Sequence, residues 1–152
     1  MKQITIKVAW NNSACEGLVS SETSYGEMKI VTKDFNDIID MGEAELKIGF
    51  DGYTEFGLEL PEWYKNKEYE FVYKFQDVTA MLKAYSSYVS LAAISRETGI
   101  NSALLSHYAN GLKVPRNKQQ KIIVAGLHRI GALLSKCTID DERKTQLNIE
   151  RK

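Results

Sequence analysis

Asn101, Ser102, Ala103, Ser106 and His107 crowd into one short stretch, and Lys113, Arg116 and Lys118 follow around Pro115. Hydroxyls and an imidazole exchange hydrogen bonds with base edges, and a small alanine can meet a thymine methyl. Lysine and arginine in a loop suit phosphate contact. Their spacing gives them a common scaffold. From Ser90 to Gly111 the chain reads as two short helices joined by a tight turn at Gly99, with apolar positions at Ala92, Ile94, Ile100, Leu105 and Tyr108. Glycine takes the left-handed conformation a helix terminus wants, and Asn101 can cap the second helix and meet a phosphate. That helix turns Ser102, Ala103, Ser106 and His107 away from Leu105 and Tyr108. A helix-turn-helix of this kind lays its second helix in the major groove of double-stranded DNA. The plainer reading is two core helices of an unrelated bundle. His107 also has two readings: a solvated surface residue, or a donor to a base edge or phosphate one turn beyond Ala103.

Charge favours a nucleic-acid partner. The chain holds 20 basic and 20 acidic residues, so it is formally neutral. The two parts differ. Residues 77–137 carry eight Lys or Arg against Asp77 and Glu97, a net +6; residues 1–76 carry eight Lys against 14 Asp or Glu, a net −6. A cationic segment is what contact with phosphates requires.

Catalysis has little to stand on, and the expectation is a protein that is not an enzyme. A metal-dependent nuclease needs clustered carboxylates, and Lys2 to Trp10 holds none. Asp34, Asp37 and Asp40 recur every third residue, a pattern that suits the solvated start of a helix. His107 and His128 are the two histidines, and neither lies near Cys15 or Cys137 at zinc-like spacing. No cofactor or metal is expected. No apolar run approaches the roughly 20 residues of a membrane helix, and Met1-Lys2-Gln3-Ile4 opens no secretory stretch. A cytoplasmic chain with reduced thiols is expected.

The run from Thr98 through Asn101, His107 and Gly111 to Arg116 resembles the lambda-repressor-like, or Xre-type, helix-turn-helix. The segment Leu60-Pro-Glu-Trp-Tyr-Lys-Asn-Lys-Glu-Tyr-Glu-Phe-Val-Tyr-Lys-Phe75 resembles the end of the N-terminal domain in HicB-like antitoxins that carry such a DNA-binding domain. Before Leu60 the chain departs from that family, and the Pro-Gly turn usual in its small members is absent. The resemblance implies a degraded RNase H-like domain, a DNA-binding domain, and a HicA-like toxin, a small ribonuclease, as partner. The antitoxin would occlude the ribonuclease sterically and repress its own promoter. Trp63 and Tyr64 would then be either aromatics covering the core or a patch that contacts the toxin. The alternative is a stand-alone repressor whose N-terminal domain oligomerises or senses a ligand.

The elements that must position these residues follow from periodicity. Ile4, Ile6, Val8 and Trp10 alternate with Gln3, Thr5, Lys7 and Ala9, and Tyr69, Phe71, Tyr73 and Phe75 with Glu68, Glu70, Val72 and Lys74; both predict strands. Cys15 to Val19, broken by Gly17, is a weaker strand, Gly26 closes a polar loop, and Met28 to Val31 reads as a third strand. Thr32 is the expected cap of a helix whose stripe is Phe35, Ile38, Ile39, Gly42 and Leu46, and Phe50 to Glu59 reads as loop. Asp77 should cap a helix bearing Val78, Met81, Leu82 and Tyr85, and a last helix should run from about Pro115 to Lys136. One line of it holds Ile123, Leu127, Ile130 and Leu134, and a neighbouring line Ile122, Gly126 and Leu133. That broad face means either deeper burial or pairing in a homodimer. The expectation is α+β: a small antiparallel sheet with one helix, in the order β-β-β-α-β (residues 1–76), then an all-α helix-turn-helix domain (residues 77–137) and a charged tail (residues 138–152).

Overall fold

The computed structural model describes residues 1–11, 13–19 and 28–141. The expected loop at Gly26 and the tail beyond residue 141 lie outside the described residues. Four strands form one mixed sheet: β1 (Lys2–Asn11), β2 (Ala14–Val19), β3 (Met28–Thr32) and β4 (Tyr69–Phe75), in the spatial order β3-β2-β1-β4. A 3-10 turn (Phe35–Asp37) leads into α1 (Ile38–Glu55), and a short α2 (Glu62–Lys65) precedes β4. Four helices follow: α3 (Val78–Tyr85), α4 (Leu91–Thr98), α5 (Ser102–Ala109) and α6 (Asn117–Leu134). The α+β class is therefore as expected. No helix among the described residues is long and apolar enough to cross a membrane.

Alternation builds the sheet. Ile4, Ile6 and Val8 of β1, Cys15 and Val19 of β2 and Ile30 of β3 are all buried on one face. Gly17 does not break β2. It is paired with Val8 and Ile30, and a Cβ there would stand 3.1 Å from a methyl of Ile6. The glycine admits a neighbour's side chain to the core. The sheet is not wholly antiparallel, which corrects the sequence reading. β1 pairs antiparallel with β2, and β2 with β3, but β4 runs parallel to β1 with Ile6 opposite Tyr73. A parallel return needs a crossover of a dozen residues or more, and the connection from Thr32 to Tyr69, with α1 inside it, supplies one.

Three further expectations change along that connection. Thr32 ends β3, and the capping side chain is Asp34, whose carboxylate accepts from Asn36 N at 2.9 Å. Thr32 Oγ1 instead accepts from Asp34 N at 3.2 Å. The stripe of α1 is Ile38, Gly42, Leu46 and Phe50, a strict four-residue spacing, while Ile39 is 49% exposed. Gly42 brings the helix close to β4, since a Cβ there would lie 3.2 Å from the Phe71 ring. Finally, α1 continues through Phe50 to Glu55, where a loop was expected. Phe50 is 1% exposed and stacks on Tyr64 at 4.1 Å between ring centres, so packing carries the helix past Gly49 and Gly52.

Two clusters of buried residues result. One lies between the sheet and α1; the other is formed by α3, α4, α5 and α6. They meet at Phe75 and Tyr85, which pack against both, with ring centres 5.3 Å apart. Ala84 of α3 is buried in the sheet cluster. Because the last turns of α1 belong to the core, Phe50→Ala is expected to cost about 3–5 kcal/mol, the usual range for a buried aromatic. Urea unfolding of the full chain measures it, and a loss under about 0.5 kcal/mol, typical of an exposed loop position, would return this segment to the loop.

Candidate nucleic-acid interface

The helix pair is built from its termini inward. Ser90 caps α4 by accepting from Ala93 N at 3.1 Å. Gly99 ends α4 at φ 76°, in the left-handed region. Asn101 Oδ1 then accepts from Ala103 N at 2.7 Å and starts α5. Only Gly99, Ile100 and Asn101 separate the two eight-residue helices. Side chains lock the turn. Ser95 donates to Ile100 O at 2.6 Å, and Thr98 Oγ1 donates to Ile94 O at 2.7 Å while accepting from Ile100 N at 3.2 Å. Ile94, Ile100, Leu105, Tyr108 and Ile123 are buried beneath it. Ala92 is not part of that core; it is exposed, and Leu91 is the residue packed inward. The buried stripe of α4 starts one position earlier than the sequence suggested.

α3 and α6 hold the pair from outside. Thr79 of α3 donates to Tyr108 O at 2.6 Å. Arg129 of α6 reaches the end of α4, with Nε 2.6 Å from Glu97 Oε1 and Nη2 donating to Glu97 O at 3.1 Å. The cation satisfies a terminal carbonyl and complements the helix dipole. α6 approaches α4 at Gly126, where a Cβ would fall 2.5 Å from Thr98 Cγ2.

The expected contact residues fall as follows. Asn101, Ser102 and Ala103 are exposed at the start of α5. Ser106 and His107, one turn on, are half-buried, and Ser106 Oγ accepts from Asn110 Nδ2 at 3.4 Å. Beyond α5 the chain makes a Schellman turn: Gly111 takes φ 74°, Leu112 N donates to His107 O at 2.9 Å, and Gly111 N to Tyr108 O at 3.2 Å. That turn sets Lys113 beyond the end of α5. Lys113, Arg116 and Lys118 are exposed, while Pro115 is buried. α6 begins at Asn117 rather than Pro115, and Arg116 is its cap position, so basic side chains flank a helix N-terminus whose free amides favour anions. Lys121 lies one turn beyond Lys118 and is exposed, and Leu112 and Val114 are exposed beside Lys113. Net charge pointed to Lys121; the two apolar side chains carried no signal.

Trp63 and Tyr64 sit in an aromatic cluster with Phe50 and Tyr69. Trp63 meets Phe50 edge-on at 5.5 Å, and Tyr64 stacks against Tyr69 at 6.3 Å. Both are half-buried against the sheet cluster. Tyr69 hydrogen-bonds the Glu43 carboxylate, and burial together with that contact raises its hydroxyl pKa. Burial likewise pushes Tyr73 up to about 12. Cys15 is held as a thiol: burial first, then the charges of Asp34 and Glu16, push it up to about 11. Asp34 and Asp37 have structural work, since Asp34 caps the 3-10 turn and Asp37 accepts from Thr32 Oγ1 at 3.4 Å. Among the described residues no group of three His, Cys, Asp or Glu could hold a metal ion.

The chain matches no protein-family model, no curated protein and no solved structure.

The contact of α6 with the turn is directly testable. Gly126→Ala gains up to about 1 kcal/mol of helix propensity. It also drives a methyl into Thr98, which its hydrogen bonds fix in place, and overpacking of this kind costs about 1–3 kcal/mol. A net loss of about 1 kcal/mol is expected in thermal or urea unfolding. Adding Thr98→Ser, which keeps the hydroxyl and removes the methyl, should recover it. Equal stability of the single variant and the parent would mean that α6 is free to back away.

Proposed function

We propose that the chain is a sequence-specific DNA-binding protein, acting as a dimer, and the antitoxin of a HicA/HicB-like pair. The observation that carries the DNA reading is the helix pair itself. Two eight-residue helices meet through a three-residue turn with a left-handed glycine, a geometry suited to placing the second helix in a major groove. The exposed start of α5 offers Ser102 and Ala103, with Ser106 and His107 behind them, for base edges, and Asn101 beside them for a phosphate. Lys113, Arg116 and Lys118 offer phosphate contacts on its flank. One such helix reads only a few base pairs, so a two-fold pair on a palindromic operator is the expected arrangement. The antitoxin role comes from the resemblance of Leu60 to Phe75 to HicB-like proteins. Its chemistry is occlusion, in which a half of net charge −6 attracts a basic ribonuclease before close contact forms.

Binding to the promoter of the protein's own gene tests the first part. Lys113→Ala and Arg116→Ala should weaken operator and random DNA alike, each lowering the salt dependence by about one counterion. Ser102→Ala and His107→Ala should cost about 1–3 kcal/mol on the operator alone if a base contact is lost. Equal losses on both DNAs for all four variants would remove α5 from the reading role.

Toxin neutralisation is tested with the full chain, because Phe75, Ala84 and Tyr85 tie the sheet to α3 and a cut after Gln76 would open that core. Cells expressing a small basic protein encoded next to this gene should be protected by the chain. They should be protected equally by the variant carrying both Lys113→Ala and Arg116→Ala. If the neighbour is harmless, the chain is a stand-alone repressor instead.

A further inference from the structure

β4 is an edge strand. Its even-numbered residues turn their amides toward β1: Glu68 O accepts from Lys2 N at 2.8 Å and Gln76 N donates to Val8 O at 2.9 Å, with the parallel register fixing those between. Successive residues of a strand aim their backbone groups to opposite sides, so the N–H and C=O of Tyr69, Phe71, Tyr73 and Phe75 point out over the free edge. Among the described residues no strand pairs there. Four such residues along a seven-residue strand are a template for another strand.

The edge is self-complementary. Glu70, Val72 and Lys74 alternate with the core-facing aromatics and lie on the sheet face away from α1. Consider a second copy laid antiparallel about a two-fold axis at Val72. Each residue then meets the one equally far beyond the axis. Glu70 faces Lys74, Lys74 faces Glu70, and Val72 faces itself. On the inner face Tyr69 meets Phe75, and Phe71 meets Tyr73. Opposite charges and aromatic pairs are the favourable cross-strand neighbours. The other edge lacks this property: about Ile30 of β3, Lys29 would meet Val31. There is also room. The C-terminal half of β4 forms one wall of an apolar groove of about 650 Å³, whose other walls include Ile39, Leu127 and Ile130.

We infer that two copies of this chain associate by antiparallel pairing of their β4 strands about Val72, joining two four-stranded sheets into one of eight. The pairing places the dimer axis on the sheet rather than on α6 alone. It deepens the dimeric part of the proposed reading and stands without DNA.

Sedimentation velocity of the full chain at micromolar concentration, with no DNA present, should show a dimer. Glu70→Lys sets lysine against lysine twice, and Lys74→Glu sets glutamate against glutamate twice. Each should weaken the dimer by about tenfold or more, while the double variant E70K/K74E restores it. Glu70 also accepts from Gln3 Nε2 at 3.2 Å; Lys74→Glu leaves that bond intact and so controls for it. A second readout is covalent. Val72 faces its copy in a non-hydrogen-bonded pair, where Cα atoms stand about 4.5 Å apart, within disulfide range. V72C in a C137S background, which removes the exposed native thiol, should cross-link to a dimer on mild oxidation, and C137S alone should not. A monomeric parent chain, single variants as dimeric as the parent, a double variant that stays monomeric, or no cross-link would each overturn the pairing. So would capture of a different protein at this edge by a monomeric chain, blocked by Glu70→Lys.

Discussion

The C-terminal helices depend on the seating of α3, an eight-residue helix buried on two sides. Val78, Met81 and Leu82 enter the helical cluster, while Ala84 is 2% exposed within the sheet cluster. Small side chains at Ala80 and Ala84 suit a close approach. The close approach in turn lets Tyr85 reach Phe35 and Phe75, at 5.6 and 5.3 Å between ring centres. From its other side α3 fixes the end of α5 through the bond from Thr79 to Tyr108 O. The orientation of α5 is thus referred back to the sheet through one short helix.

Electrostatics divides the molecule where packing joins it. The acidic part holds the sheet and α1; the basic part holds the helix pair and its loop. Glu97 and Arg129 neutralise each other, and Lys83 lies over the Trp10 ring at 5.8 Å. The cations left without an ion-pair partner among the described residues include those at the start of α6 and in the loop before it. In the proposed encounter with a duplex, such a distribution would orient the chain, with phosphates attracting the basic part and repelling the acidic one. A neutral total therefore says little about this chain. The dipole between its halves says more.

What the sequence makes legible is local. Alternation marks β1 and β4, Asp77 and Asn101 cap where their types allow, and Gly99 takes the left-handed turn it is suited to. What it hides is tertiary. Alternation says which side of β4 is buried but not which way the strand runs, so the parallel pairing with β1 could not be read. The last turns of α1 contain Gly49 and Gly52, poor helix formers, and the packing of Phe50 against Tyr53, Trp63 and Tyr64 is what holds them helical. Gly17 carries a strand-breaking signal yet serves as the gap that Ile6 fills. At the candidate interface the helix periodicity predicted which side of α5 faces out. That Ser106 and His107 are only half exposed is announced by no pattern of residue types.

The open face of the sheet explains where recognition can lie. Parallel strands are usually covered on both faces, whereas antiparallel ones can turn one face to water. Here the parallel pair β1–β4 has α1 on one side, and its other face carries Thr5, Lys7, Glu70, Val72 and Lys74. Beside it Glu16 pairs with Lys29 at 3.5 Å and accepts from Asn11 Nδ2 at 3.0 Å. Charged side chains with partners on their own sheet gain little from a flat protein surface, because each would lose water for contacts it already has. The backbone groups along the β4 edge are different. They have no partner among the described residues, and they cannot change their chemistry by mutation. A partner strand offers them ladder bonds in place of solvent without stripping the charges beside them. Backbone chemistry thus leaves the β4 edge as a part of the sheet able to bind another strand.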